Sequence, residues 1–363
     1  MIRALALGAI AVAAFLGVAS VAGRPLMPYL HARSMLTAKV DWALRFPDTT
    51  LIAIGPSYVE MGFDPDVFDA AMKAKGRDVH SFNLGIDGLS VPEMQTMAEA
   101  LVGRKPCCIR YALVSPCFEC LHVAQIPDSA RSVSFFDVRR GIGFLRYVWW
   151  YDQLPDQSVG RTDYARNVGT SVFRHHTSLG VAANRLGFAT FEGQASPDLT
   201  SASYWARRPR GFEPSDHSMS GAEASRYESG VDAFAKTRAE AIRRLSEGAD
   251  SGVDAATARL VSDRMVGVFL DLVRYLRANG IAVLVVMPPN ERQWQFHAAF
   301  IAKLRRCCAG DIPLADFGDA GQWRDLFVPA SIRYDDEHMN ATGAAIWSRA
   351  LADRAAEWMH DLH

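Results

Sequence analysis

Short, continuously apolar runs alternate with longer stretches in which apolar residues recur every three or four positions. Residues 50–54 form the first such run, closed by Gly55 and Pro56, and read as a buried strand. Asp64 and Pro65 open a helix to about residue 75, with proline at the first helical position. Residues 78–84 read as a second strand, ended by Gly85 and Gly88. Ser90 then caps a helix through about residue 102, with Glu93 at its positive end. Residues 109–115 make a third strand. A helix over 254–278 presents Leu260, Met265, Val268, Leu272 and Tyr275 on one broad face and stops at Asn279-Gly280. Residues 281–287 are the clearest strand, 312–317 a fifth, and a helix over 342–360 closes the chain.

Strands this apolar, separated by helices, predict an α/β fold with a parallel sheet covered on both faces and right-handed crossovers. Residues 121–253 carry few strand signals and read as a mostly helical and loop insertion, leaving 49–120 and 254–363 as the core. The 363 residues, 49% hydrophobic and 10% aromatic, suffice for a large core and exclude general disorder. With 39 Lys+Arg against 40 Asp+Glu, there is no basic footprint for nucleic acid.

The first segment bears on compartment. Arg3 precedes a weakly apolar run, residues 4–23, which Arg24 closes. Twenty residues rising about 1.5 Å each match a hydrocarbon core of roughly 30 Å. Small residues near its end also suit a cleaved signal, and a buried helix is the third alternative. Either leading reading makes 1–23 an anchor or signal and exports the remainder, which is expected to be periplasmic or extracytoplasmic. Residues 24–48 then read as a stalk with a short amphipathic helix over 36–46. The six cysteines suit an oxidising space. Cys107-Cys108 and Cys307-Cys308 both precede apolar stretches, where a bridge would join the starts of two strands. Cys117 and Cys120 have metal-ligand spacing, but no second pair or spaced histidine completes a zinc site. The pairing stays open.

Three segments fall at the ends of predicted strands, where open α/β sheets place their sites. Ser57 follows Gly55 and Pro56 after the first strand. Asn83, Gly85, Asp87 and Gly88 follow the second. Asp335, Asp336 and His338 precede the last helix. A serine on a tight turn is a nucleophile candidate, glycine turns present N–H groups to an oxyanion, and Asp-x-x-His supplies an oriented base. Each alone also has a plain structural reading, as a cap, a turn or a surface loop.

In this order the segments resemble the SGNH, or GDSL-type, hydrolase superfamily. The resemblance implies a flavodoxin-like three-layer α/β/α fold with a five-stranded parallel sheet. It also implies Ser57 as nucleophile, His338 as base and Asp335 as its orienting acid, with the N–H groups of Ser57 and Gly88 as oxyanion donors. Asp336 has the wrong spacing for Asp335's role. No cofactor or metal is implied. Two departures stand out. Gly-Pro-Ser replaces Gly-Asp-Ser, and residues 113–118 lack the asparagine of the third family block, leaving Ser115 as a substitute candidate. Gly62-x-x-Pro65 resembles a branch of membrane-anchored periplasmic proteins that add or remove acyl groups on exported polysaccharides. Examples are the alginate and cellulose acetylation proteins and the teichoic-acid D-alanyl transfer protein.

The expected function is a serine acyl transfer on O-acyl groups of an exported polysaccharide, as O-acetyltransferase or acetylesterase. The expected partners are the polysaccharide and a membrane-bound O-acyltransferase or polysaccharide synthase complex. A non-catalytic accessory protein of such a machine and a secreted lipase-like esterase are the alternatives. Trp149, Trp150 and Trp294, with Trp323 and Arg292, are candidate sugar-binding residues, although rings in such positions also serve as core.

Overall fold

The computed structural model describes residues 34–362, apart from 105–107, 128, 152–153, 155–157, 178–198, 200, 248–251 and 309, together with Ile10, Ala14, Gly17 and Val18. The anchor or signal and the first part of the stalk thus fall almost wholly outside the described residues. Among those described, no helix is long and apolar enough to cross a membrane.

The chain begins with α1 (Met35–Ala43), β1 (Leu51–Ile54), a single-turn α2 (Ser57–Glu60), α3 (Pro65–Ala74), β2 (Ser81–Asn83), α4 (Val91–Gly103) and β3 (Tyr111–Val114). Helices α5 (Ala130–Phe135), α6 (Val138–Trp149), α7 (Arg161–Thr177), α8 (Ala202–Ala206) and α9 (Gly221–Glu247) follow. The last part holds α10 (Gly252–Leu260), α11 (Asp263–Ala278), β4 (Ala282–Met287), α12 (Trp294–Cys308), β5 (Leu314–Asp316) and α13 (Ala341–His360).

The five strands form one parallel sheet in the order β2-β1-β3-β4-β5. Ile54 pairs with Val114, and Val114 with Val285, so the carboxyl ends of β1 and β3 lie level at the point where the strand order reverses. That crevice is where doubly wound sheets bind ligands. Successive strand residues point to opposite faces. Leu51, Ala53, Leu113, Leu284, Val286 and Ala315 join Phe63, Phe68, Met72, Trp347, Leu351 and Ala355 in one cluster, which α3 and α13 close. Ile52, Ile54, Ala112, Val114, Val283 and Val285 fill the other face, all buried. Helices α4 and α11 pack on each other and α11 on β4. This is the expected α/β fold with a five-stranded parallel sheet between helical layers.

The caps explain several boundaries. Asp64 accepts from the N–H groups of Asp66 and Val67 at 3.0 and 3.3 Å, starting α3. Ser90 and Glu93 form a capping box at α4. The helix expected over 254–278 is instead two. Ser262 takes extended backbone and accepts from Met265 N–H at 3.2 Å, so a second helix starts there.

The chain divides into two compact units, and the division corrects the expected domains. The sheet unit comprises 39–121, 150–153 and 205–363. The stalk reading therefore fails from Lys39 onward, because Lys39, Val40 and Ala43 are buried. The insertion is shorter than 121–253, because α9 belongs with the sheet and places Tyr227, Val231 and Phe234 in its core. The other unit takes 122–149 and 154–204, and its described elements include α5, α6 and α7 with no strand among the described residues. There α7 holds the preceding loop, Asn167 donating to the Ala124 carbonyl at 3.0 Å and Ser171 to that of Pro127 at 3.0 Å.

Candidate active site

Ser57 is the first residue of α2, immediately past the β1 exit. The turn is sharp enough that a Cβ at Gly55 would stand 2.3 Å from Val59 Cγ2, so only glycine fits. Being first in its helix, Ser57 has an N–H with no carbonyl four residues back to receive it. The carbonyls at the other end of α2 are taken by Asn83, whose Nδ2 donates to Val59, Glu60 and Phe63 at 2.8, 3.2 and 2.7 Å. Its Oδ1 accepts from Gly85 N–H at 2.8 Å. Asn83 thereby ties the turn after β2 to the turn that carries Ser57.

The β2 turn has a second restraint. Lys39 of α1 is fully buried, donates to Glu60 Oε1 at 2.9 Å and also bonds the Gly85 carbonyl. Glu60 Oε2 accepts from Asp87 N–H at 2.8 Å. Gly88 follows with φ +57°, in the left-handed region.

Ser57 Oγ lies 2.7 Å from His338 Nε2. His338 Nδ1 is 3.0 and 2.9 Å from the two oxygens of Asp335. A carboxylate only accepts, so Nδ1 carries the proton and Nε2 of the neutral ring accepts from the serine hydroxyl. Asp335 also accepts the backbone N–H groups of Glu337 and His338 at 2.8 and 2.6 Å. Burial works against its charge, but the bonds to His338 and these N–H groups prevail and hold its carboxyl at about 2. Burial likewise pulls His338 down. The bond and charge of Asp335, with Glu337 and Asp87, outweigh it and leave the imidazole above its ordinary value. The structure thus brings Ser57, His338 and Asp335 together in a hydrogen-bonded chain.

The loop that carries His338 has its own latch, which the sequence reading missed. Arg333 is fully buried, with Nη1 donating to the Pro289 carbonyl at 2.9 Å and Nη2 to that of Asp336 at 3.2 Å. Its guanidinium stands over the Tyr227 ring at 5.7 Å. One cation therefore binds the Asp335–His338 loop to the β4 exit. A single loop arginine gives no sequence signal of this.

The other candidates fare differently. Ser115 is buried beside an apolar cavity with Ala53, Val59, Phe63 and Trp347, and its hydroxyl makes no full hydrogen bond. Trp294 is partly buried against Phe234, ring centroids 6.3 Å apart, so it serves the core between α9 and α12. Trp323 donates Nε1 to the Asp316 carbonyl at 2.9 Å and packs on Phe317. Arg292 pairs with Glu337 at 3.4 Å. Trp150 is half-buried, and Trp149, in the other unit, is 51% exposed. Cys117 and Cys120, left open as metal ligands or disulfide partners, form a disulfide, and Cys307 and Cys308 are free thiols. Cys107 lies outside the described residues.

The disulfide closes a loop that carries a further missed residue. Both carboxyl oxygens of Glu119 are buried without a full hydrogen bond. Burial pushes the acid up to about 8, and the charge of Glu337 adds to this, against a partial offset from the N–H groups of Glu119 and Phe118. A neutral carboxylic acid therefore stands past the β3 exit.

No family model matches the chain, and no curated protein matches it.

Two outcomes follow for stability. Lys39→Met should lower unfolding free energy by about 3–5 kcal/mol in denaturant titration, because Glu60 is left as an unpaired buried charge. Glu119 keeps its proton in the folded state between about pH 4.5 and 8 while the unfolded chain releases it, so its contribution to stability falls as pH rises through that window. The Tm of Glu119→Gln relative to the native chain should therefore climb from about pH 5 to about pH 8. A constant difference would contradict the buried neutral acid.

Proposed function

We propose that the protein is an extracytoplasmic serine acyl-transfer enzyme of the SGNH type, acting on O-acyl groups of an exported polysaccharide. The observation that carries this reading is the 2.7 Å contact between Ser57 Oγ and His338 Nε2, backed by Asp335 on the other ring nitrogen. Ser57 Oγ attacks the ester carbonyl carbon as its proton passes to Nε2. The carbonyl π pair moves to oxygen, and the N–H groups of Ser57 and Gly88 receive the oxyanion. Asp335 stabilises the imidazolium that forms. Collapse breaks the C–O bond to the leaving alcohol, which takes the Nε2 proton and leaves an acyl-serine. A sugar hydroxyl or water then gives its proton to Nε2, attacks the acyl carbon and expels Ser57, whose oxygen takes the proton back from Nε2. Esterase and transferase differ only in that last acceptor. An export-competent acyl donor, presented by a membrane O-acyltransferase partner, completes the transferase version.

The neutral imidazole is the working form and its pKa is raised. Activity should therefore fall as pH drops, with the midpoint above the ordinary histidine value of about 6.5. A rate–pH profile flat down to about pH 5 contradicts His338 as base.

Incubation with an activated acetyl ester should add one acetyl mass to the peptide containing Ser57, and Ser57→Ala should remove the adduct. The same substitution should reduce turnover by at least about 10³-fold. If Ser57→Ala leaves polysaccharide acylation and ester cleavage intact, the protein is instead a non-catalytic accessory of the envelope machine.

A further inference from the structure

Helix α6 exposes an apolar stripe on the face that does not pack. Its inner face is made of Gly141, Phe144, Tyr147 and Val148, all buried. Gly141 lies so close to α7 that a Cβ there would come within 2.8 Å of Val172 Cγ2. The outer face carries Val138 at 52% exposure, Ile142 at 50% and Trp149 at 51%, with half-buried Leu145 between them. Steps of four, three and four residues put these four side chains on one line along the helix. Single exposed apolar residues are ordinary, but a continuous stripe ended by tryptophan marks a surface that meets something.

The charges beside the stripe indicate what it meets. Arg139 and Arg146 each follow a stripe residue by one position, about 100° round the helix, and so line the same long edge. Both are exposed and pair with no carboxylate among the described residues. The helix itself contains no Asp or Glu, and Arg140 is taken by Asp137 at 3.6 Å. A two-fold pairing with a second copy would set these unpaired arginines against their own counterparts, with no acid on the helix to meet them. A layer of anionic phospholipid offers both what the arginines lack and what the stripe needs, phosphates above acyl chains.

We propose that the outer face of α6 seats on the interfacial region of an anionic phospholipid bilayer. Val138, Ile142, Leu145 and Trp149 enter the boundary between headgroups and acyl chains, and Arg139 and Arg146 extend along it to lipid phosphates. This proposal does not rest on the Ser57 chemistry, and its readout is physical contact rather than turnover.

The test uses the full chain labelled with 5-fluorotryptophan and reconstituted in phosphatidylethanolamine–phosphatidylglycerol vesicles. The Trp149 resonance is assigned by its loss in Trp149→Phe. A lipid bearing a nitroxide near the headgroup should broaden this resonance strongly. The double variant Arg139→Glu/Arg146→Glu, with native Tm, should lose the broadening at least several-fold, as should vesicles without the anionic lipid. An unbroadened Trp149 resonance, or equal broadening in the double variant, overturns the proposal. So does a lipid-free shift of the resonance with protein concentration that the double variant abolishes, which would make the face a contact between copies.

Discussion

A hydroxyl and an imidazole 281 positions apart share a 2.7 Å hydrogen bond, and the parallel sheet is what lets them meet. Every strand exits at the same edge. β1 lies between β2 and β3, so the turn bearing Ser57 has the β2 turn on one side and the β3 exit on the other. The loop bearing His338 comes after β5, and Arg333 draws it toward β4 by binding the Pro289 carbonyl. An antiparallel sheet would send alternate exits to opposite edges and leave these groups apart.

The frame around this contact is polar and buried. Lys39, Asn83 and Arg333 are each inaccessible to solvent, and each spends its donors on backbone carbonyls or on a carboxylate of the surrounding turns. In a low-dielectric interior such bonds are strong when complete and costly when broken, so they hold the turns in one arrangement. Short turns at strand ends have little apolar surface with which to fix themselves. Asn83 alone reaches three carbonyls around α2, a segment too short to be stable as an isolated helix. Glu119 breaks the pattern, since it is buried without comparable partners and remains neutral instead.

Much of the fold was legible because local rules and global packing agreed. Strands β1, β3 and β4 are continuous apolar runs, and Asp64, Ser90 and Asn279 stand at helix ends where capping chemistry places them. The misreadings share a cause. The stripe of α9 runs through Tyr227, Val231, Phe234, Arg238, Ala241 and Leu245, and the arginine in its midst disguises a core-facing helix. Arg238 is admitted there because Asp316, across from it, accepts from Nη2 at 2.9 Å. Lys39 is held inside α1 in the same way, by Glu60, which accepts from Nζ at 2.9 Å. A charge reads as surface until its partner is known, and neither partner is near in sequence.

The same reasoning divides the site. Ser57, Asp335 and His338 stood out because residue type, position at a strand end and a three-residue spacing are all properties of local sequence. The clamps were silent, since Asn83, Lys39, Arg333 and Glu119 have meaning only through groups far along the chain. Local chemistry thus sufficed for the strands, the caps and the selection of Ser57, Asp335 and His338, because those depend on neighbours within a few residues. The unit boundaries, the ring orientation of His338, the neutrality of Glu119 and the uncovered face of α6 depended on which distant surfaces are buried together. Desolvation and long-range hydrogen bonding come into being only when the chain has closed on itself.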